Sequence, residues 1–241
     1  RDEINWRRRQ DDFKGLGTQE IGLSKKGVLF PDSVVPAQHL EIFLRSITRH
    51  VSSVTDLSKL SIPFAAIATD LDTGEAVVMQ KDVTLADAMR SSMSVPGAFS
   101  PFPYKNHVLV DGGLAQNLPV EQAKAMGADI IIAVNAGTPL GKSKDIHSVA
   151  GVMGQMIGIL TERNVDHSKS LLTEKDILIT TDLTGFNAGD FQKAEAIIEA
   201  GEKSAQKYEP QLKRLAVSQK TFEQWNLARQ SAVQPPQARQ V

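Results

Sequence analysis

Asp111 stands where a carboxylate can do chemistry. It follows the short apolar run from His107 to Val110 and precedes Gly112 and Gly113, after which Asn117 and Pro119 mark the start of a helix. Strands that end in a turn into a helix are where α/β proteins build their sites. A carboxylate there can take the proton from an attacking hydroxyl and return it to a leaving alcohol. An aspartate of ordinary pKa, ~3.9, is a weak base at neutral pH, and burial among apolar groups is the device that strengthens it. Gly112 and Gly113 suit such a place because the missing Cβ permits a sharp turn and close approach of backbone or substrate. Standing alone, Asp-Gly-Gly also reads as a surface turn.

A nucleophile is not visible beside it. No Gly-x-Ser-x-Gly occurs in the 241 residues. Ser91, Ser92 and Ser94 lie near Asp111 in sequence, yet none has the strand-turn-helix context that exposes a strained hydroxyl; Ser92 and Ser94 read as hydrogen-bonding the end of a helix. Asp70 and Asp72 form a second carboxylate pair, but Asp70-Leu-Asp-Thr-Gly74 between two strands is turn chemistry.

The elements around these residues follow from periodicity. A short apolar run spans Lys26 to Phe30, and Pro36 opens a helix with Leu40, Phe43, Leu44, Ile47 and Val51 on one face. Ile62 to Thr69 and Glu75 to Met79 read as a hairpin, and Thr84 caps a helix reaching Met93. The segment Val95 to Phe102 is a stiff apolar loop before the Asp111 strand, either lining a pocket or serving as a packed connector. Asn117 is expected to cap the next helix, which Gly127 ends, and Asp129 to Asn135 to form a buried strand. Strand, Asp-Gly-Gly, helix, strand makes a βαβ unit, so the fold class is α/β with parallel pairing.

Further on, Ile146, Val149, Met153, Met156, Ile157 and Leu160 recur at helical spacing, read as a core helix with a dimer face or lipid-touching face as the alternative. Asp176 to Thr181 is a strand, and one long helix is expected from Asp190 to about Leu215. Ser231 to Val241 reads as a linker or tail.

Composition narrows the function classes. A chain of 241 residues with 41% hydrophobic content can bury a sizeable core, and a net charge of -1 argues against a nucleic-acid binder. The charged opening from Arg1 to Lys14 mixes signs and reads as solvated. There are no cysteines, and His39, His50, His107, His147 and His167 show no zinc spacing, so neither a metal nor a cofactor is expected.

Met93-Ser-Val-Pro-Gly-Ala-Phe99, Val110-Asp-Gly-Gly-Leu-Ala-Gln-Asn-Leu-Pro119 and Ala65-Ala-Ile-Ala-Thr-Asp-Leu-Asp-Thr-Gly-Glu75 occur in an order that resembles the bacterial patatin-like phospholipase family, over roughly residues 1 to 215. The resemblance implies a patatin-like three-layer α/β fold with a central, mostly parallel sheet. It implies a Ser/Asp dyad acting on phospholipid or lysophospholipid esters at a transient membrane surface, with no metal. Asp111 matches the family's catalytic aspartate, with Gly112 and Gly113 completing its motif. The family's glycine-rich oxyanion segment and Gly-x-Ser-x-Gly elbow fall upstream of Arg1. The chain is therefore expected to be the later part of such a domain, over 1–218, with 219–241 a helix and tail, and to be inactive alone. The alternative is a patatin-fold lipid-binding or interaction module without catalysis. Gln219 to Trp225 and the tail are also similar to the patatin–POTRA boundary of outer-membrane patatins, which implies a secreted or outer-membrane protein, with the cytoplasm as the alternative. Expected partners are the lipid substrate and a second copy of the chain, with no nucleic acid.

Overall fold

The computed structural model describes residues 22–24, 27–29, 37–142, 146–186 and 190–231. The charged opening and the tail after Ser231 lie outside the described residues. The chain divides into two compact units, Arg1–Ser58 with Phe64–Asp111, and Lys59–Pro63 with Gly112–Val241.

In the first unit, β1 (Gly22–Ser24) and β2 (Gly27–Leu29) pair antiparallel, and helix α1 (Ala37–Ile47) follows. Of the face expected on α1, only Leu44 is buried; Phe43 and Ile47 are exposed, and Val51 falls in a separate 3-10 turn, Arg49–Val51. The helix ends where the Thr48 hydroxyl donates to the Leu44 carbonyl.

The hairpin appears where alternation placed it. Strand β3 (Ala66–Asp70) is buried throughout, and β4 (Ala76–Met79) pairs with it antiparallel. Gly74 turns the chain at φ +76, a conformation that side chains with a Cβ avoid. Next come helix α2 (Leu85–Ser92), strand β5 (Phe102–Tyr104) and strand β6 (His107–Asp111), giving a four-stranded sheet in the order β4-β3-β6-β5. Helix α2 packs on β3 and β6, and Ala86, Ala88, Ile67, Leu109 and Val110 are buried.

In the second unit, α3 (Gly113–Gln116) and α4 (Val120–Ala125) lead to strand β7 (Ile132–Asn135). Helix α5 (Val149–Ser170) then carries the chain to β8 (Ile177–Thr180), which pairs parallel with β7. A parallel pair needs such a crossover. Leu118, Val120, Ile131, Ala133 and Val165 form one buried cluster, each large aliphatic member contributing roughly 1.5–3 kcal/mol. Helices α6 (Ala194–Gln206), α7 (Glu209–Lys213) and α8 (Gln219–Ser231) complete the unit.

Helices and strands interleave as an α/β chain requires, but the details differ from the pattern. Every described ladder of the four-stranded sheet is antiparallel; for β3–β4 and β5–β6 the short turns that join them allow no other sense, and β3–β6 pairs antiparallel as well. The parallel βαβ is β7–α5–β8, while β6 and β7 belong to separate described sheets. Strand β7 buries Ala133 but exposes Ile132 and Val134, so it is one-sided where a buried strand was expected. Asn117 caps the end of α3 instead of opening α4, whose N-cap is Pro119 without a side-chain bond. The long helix over 190–215 is broken into α6 and α7, with Pro210 in the first turn of α7, where its missing N–H costs nothing. Helix α5 is not a core helix over its first half: Val152, Met153, Met156, Ile159 and Leu160 are exposed, and its buried residues, Val165 and Ser168, lie in the last turns.

Thr84 is the N-cap of α2, its Oγ1 accepting from the Asp87 amide at 3.2 Å and donating to the Asp87 carboxylate at 2.7 Å. Thr84→Ala is expected to destabilise the protein by about 1 kcal/mol, read as a lower urea midpoint, with Thr84→Ser close to wild type.

Candidate active site

Asp111 is the last residue of β6 and is half-buried. Its backbone is held on both sides. The amide donates to the Ser94 carbonyl at 3.0 Å, and the carbonyl accepts from Thr69 Oγ1 at 2.8 Å. Thr69 belongs to β3, where the neighbouring Ala68 is the register partner of Asp111. A strand end would normally fray; here the end of the sheet is fastened to the end of α2, so the root of the carboxylate is held by hydrogen bonds on both sides.

Ser94 lies just past α2, fully buried. Its hydroxyl donates to the Arg90 carbonyl at 2.8 Å and accepts from Arg90 Nη1 at 2.5 Å. Ser91 is buried too, with its hydroxyl on the Ala88 carbonyl at 2.9 Å. Both serines are structural hydrogen-bonders, as the sequence suggested for Ser94, and neither hydroxyl is presented for attack. Arg90 is 2% exposed, which for a guanidinium requires compensation. Nη2 donates to the Ser100 carbonyl at 2.9 Å, and the rings of Phe99 and Phe102 lie 5.9 and 5.8 Å from the guanidinium carbon. Nε has no hydrogen-bond partner among the described residues; Glu41 Oε1 lies 3.7 Å away. Burial pulls the Arg90 guanidinium below its ordinary pKa, and Glu41 opposes the shift. The loop over 95–102 is thus a connector packed on a buried cation.

The Asp70 turn is as expected, with Oδ1 accepting the Asp72 amide at 2.9 Å. The partner that sequence reasoning missed is His107, whose Nδ1 meets Asp70 Oδ2 at 2.5 Å. The two are brought together by cross-strand register, which no local motif announces. His107 opens β6 and Asp111 closes it, roughly 13 Å apart along the strand, so this pair does not serve the Asp111 carboxylate directly. The His107 bond holds the Asp70 carboxyl below its ordinary value of 3.8, with the Asp72 amide adding to the effect.

Gly112 and Gly113 open the second unit, and both are buried. Gly112 has φ -68 and ψ -19, an ordinary helical conformation, so left-handed freedom is not what this position uses. A further residue missed in sequence is Asn164 of α5. Its Nδ2 donates to the Gly113 and Leu114 carbonyls at 2.8 and 3.2 Å, and its Oδ1 accepts the Asn117 amide at 2.9 Å. One side chain thereby bonds two carbonyls of the short helix α3 and the amide that follows it, a role invisible in a lone asparagine of a helical run. At the carboxyl ends of β7 and β8, where α/β sheets present crevices, a cavity of about 640 Å³ is lined by Asn135, Leu140, Glu162, Thr181 and Leu183 among others. Among the described residues no cluster of three His, Asp or Glu side chains suits a metal ion.

An α/β chain that ends a sheet strand on a doubly held aspartate, followed by two buried glycines, has counterparts among known proteins. Residues 5–124, about half of the chain, match the family model described as patatin-like phospholipase. An uncharacterized NTE family protein of Mycobacterium tuberculosis is 30% identical over 124 residues, 51% of this chain and 31% of its own. Patatin-like phospholipase domain-containing protein 7 of Mus musculus is 37% identical over 95 residues, 36% of this chain and 7% of its own. Human patatin-like phospholipase domain-containing protein 6 is 37% identical over 98 residues, 40% of this chain and 7% of its own. The chain belongs to the patatin-like phospholipase family. It spans less than a third of the length of these relatives.

The Asp70 interaction carries a pH signature. A carboxyl whose value is lowered by folding stabilises the protein fully above its unfolded value, and that contribution is lost as pH falls through the lowered one. The urea-midpoint difference between wild type and Asp70→Asn is therefore expected to be present at pH 5 and to shrink below about pH 4. A difference that stays the same down to pH 2.5 would contradict this assignment.

Proposed function

We propose that this chain provides the base and the surrounding scaffold of a lipid acyl hydrolase of the phospholipase A or lysophospholipase type. The observation that carries the reading is Asp111 itself, an aspartate at a strand end with its backbone bonded on both sides, inside the stretch that matches the family model. In the dyad mechanism a serine hydroxyl attacks the ester carbonyl while Asp111 accepts its proton. Collapse of the tetrahedral intermediate expels the lipid alcohol, which takes the proton from Asp111. Water then enters, gives a proton to Asp111, and releases the fatty acid, and the proton returns to the serine. None of the 241 residues stands in a Gly-x-Ser-x-Gly context, so the reading assigns the serine outside them and expects no turnover from this chain alone. Since the substrate is held in lipid aggregates, contact with a membrane surface is part of the proposal.

The test uses the full-length protein and lysophosphatidylcholine or phosphatidylcholine vesicles, with released fatty acid as the readout. Asp111→Asn is expected to lower turnover ~10²–10⁴-fold, the usual worth of a positioned base, while the thermal midpoint stays within a few degrees. Undiminished hydrolysis by the Asn variant would remove Asp111 from the mechanism. A wild-type protein without hydrolysis would favour a lipid-binding or interaction module on the same fold.

A further inference from the structure

A carboxylate acts only from where its backbone holds it. In the unit that ends at Asp111, one of the two backbone bonds runs to Ser94, whose amide donates to the Ser91 carbonyl, whose hydroxyl donates to the Arg90 carbonyl, and whose hydroxyl also accepts from the buried Arg90 side chain. Arg90 Nη1 meets Ser94 Oγ at 2.5 Å, a charge-assisted bond, while Nη2 reaches the Ser100 carbonyl at 2.9 Å. Phe99 and Phe102 lie against the same guanidinium. The hydroxyl that takes the Arg90 bond and the carbonyl that takes the Asp111 amide belong to one residue, Ser94, which has no exposed surface. The Arg90 guanidinium and the Asp111 amide thus bond the same residue, one through its side chain and the other through its backbone.

We propose that Arg90 is a positioning residue for Asp111, acting through Ser94; its relevance to turnover rests on the assignment of Asp111 as base. A planar fork is required for this work. It places one nitrogen on Ser94, another on Ser100, and flat faces toward two aromatic rings, whereas the ammonium of lysine is a point donor on a flexible stem. A neutral residue of similar length would fill the space but leave Ser94 Oγ without its donor. Displacing a reacting group by about 1 Å is enough to cost ~10²-fold in rate.

The experiment compares wild-type full-length protein with Arg90→Lys and Ser94→Ala. It reads residue-resolved amide hydrogen exchange together with kcat and KM on lysophosphatidylcholine. The Leu57 amide, bonded to the Gln80 carbonyl at 2.7 Å in the same unit, reports general loosening. In both variants exchange at Asp111 is expected to rise at least ~10-fold with less than ~2-fold change at Leu57, and kcat to fall ~10–100-fold with KM nearly unchanged. Equal rises at both amides would mean that Arg90 only stabilises the unit, and no rise at Asp111 would mean that it does not hold Asp111; either overturns the proposal. If Arg90→Lys fails to fold, Ser94→Ala decides alone: it removes the hydroxyl that bonds both the Arg90 guanidinium and the Arg90 carbonyl, and keeps the carbonyl that takes the Asp111 amide. If the wild type hydrolyses no lipid, the assignment of Asp111 as base falls, while the exchange pattern still decides whether Arg90 positions it.

Discussion

The bond from the Asp111 amide to the Ser94 carbonyl joins the last residue of a sheet strand to the turn that ends a helix. The Thr69 hydroxyl holds the same residue from the neighbouring strand. Much of the first unit is arranged so that this bond can exist. Helix α2 lies on β3 and β6, which brings its carboxyl end beside the end of β6. The antiparallel pairing of β3 with β6 places the Thr69 hydroxyl on the other side of the same peptide. A buried guanidinium then fills the space under the loop over 95–102, where its desolvation is offset by Ser94, Ser100 and two aromatic rings.

The second unit solves a separate problem with separate means. A four-residue helix leaves carbonyls without intrahelical partners, and Asn164 reaches from α5 to bond those of Gly113 and Leu114 and the Asn117 amide. The parallel β7–β8 pair is closed by the long α5, and the cluster around Val120 and Val165 supplies its core. Parallel strands are ordinarily covered on both faces. Here Ile132 and Val134 are exposed, as is the apolar face of the first half of α5.

Local chemistry was legible in the sequence, and register was not. The hairpin through Asp70 to Gly74, the Thr84 cap, the β6 strand and the placement of Asp111 at its end all follow from alternation, capping and turn residues within a few positions of one another. The order of three motifs pointed to the patatin-like family, and the family match covers the stretch that holds them. What escaped were contacts across many residues of chain. Asp70 with His107 needs the β3–β6 register, Arg90 with the 99–102 rings needs the loop to fold back, and Asn164 with Gly113 needs α5 to pack on α3. Periodicity also misjudged burial. It put Phe43, Ile47, Met153 and Met156 on apolar faces correctly, but it cannot say what covers a face, and all four are exposed. Asn117 failed for a simpler reason: a good capping residue fits either end of a short helix, and here it closes α3.

The most direct measurement is denaturing intact-mass spectrometry of the full-length protein after reaction with a serine-directed fluorophosphonate, in wild type and Asp111→Asn, with peptide mapping of the adduct. The account predicts one stoichiometric adduct on a serine in a Gly-x-Ser-x-Gly context in the wild type, and labelling slowed by orders of magnitude when Asp111 can no longer accept the proton. An unlabelled wild type, or equal labelling of both proteins, would contradict it.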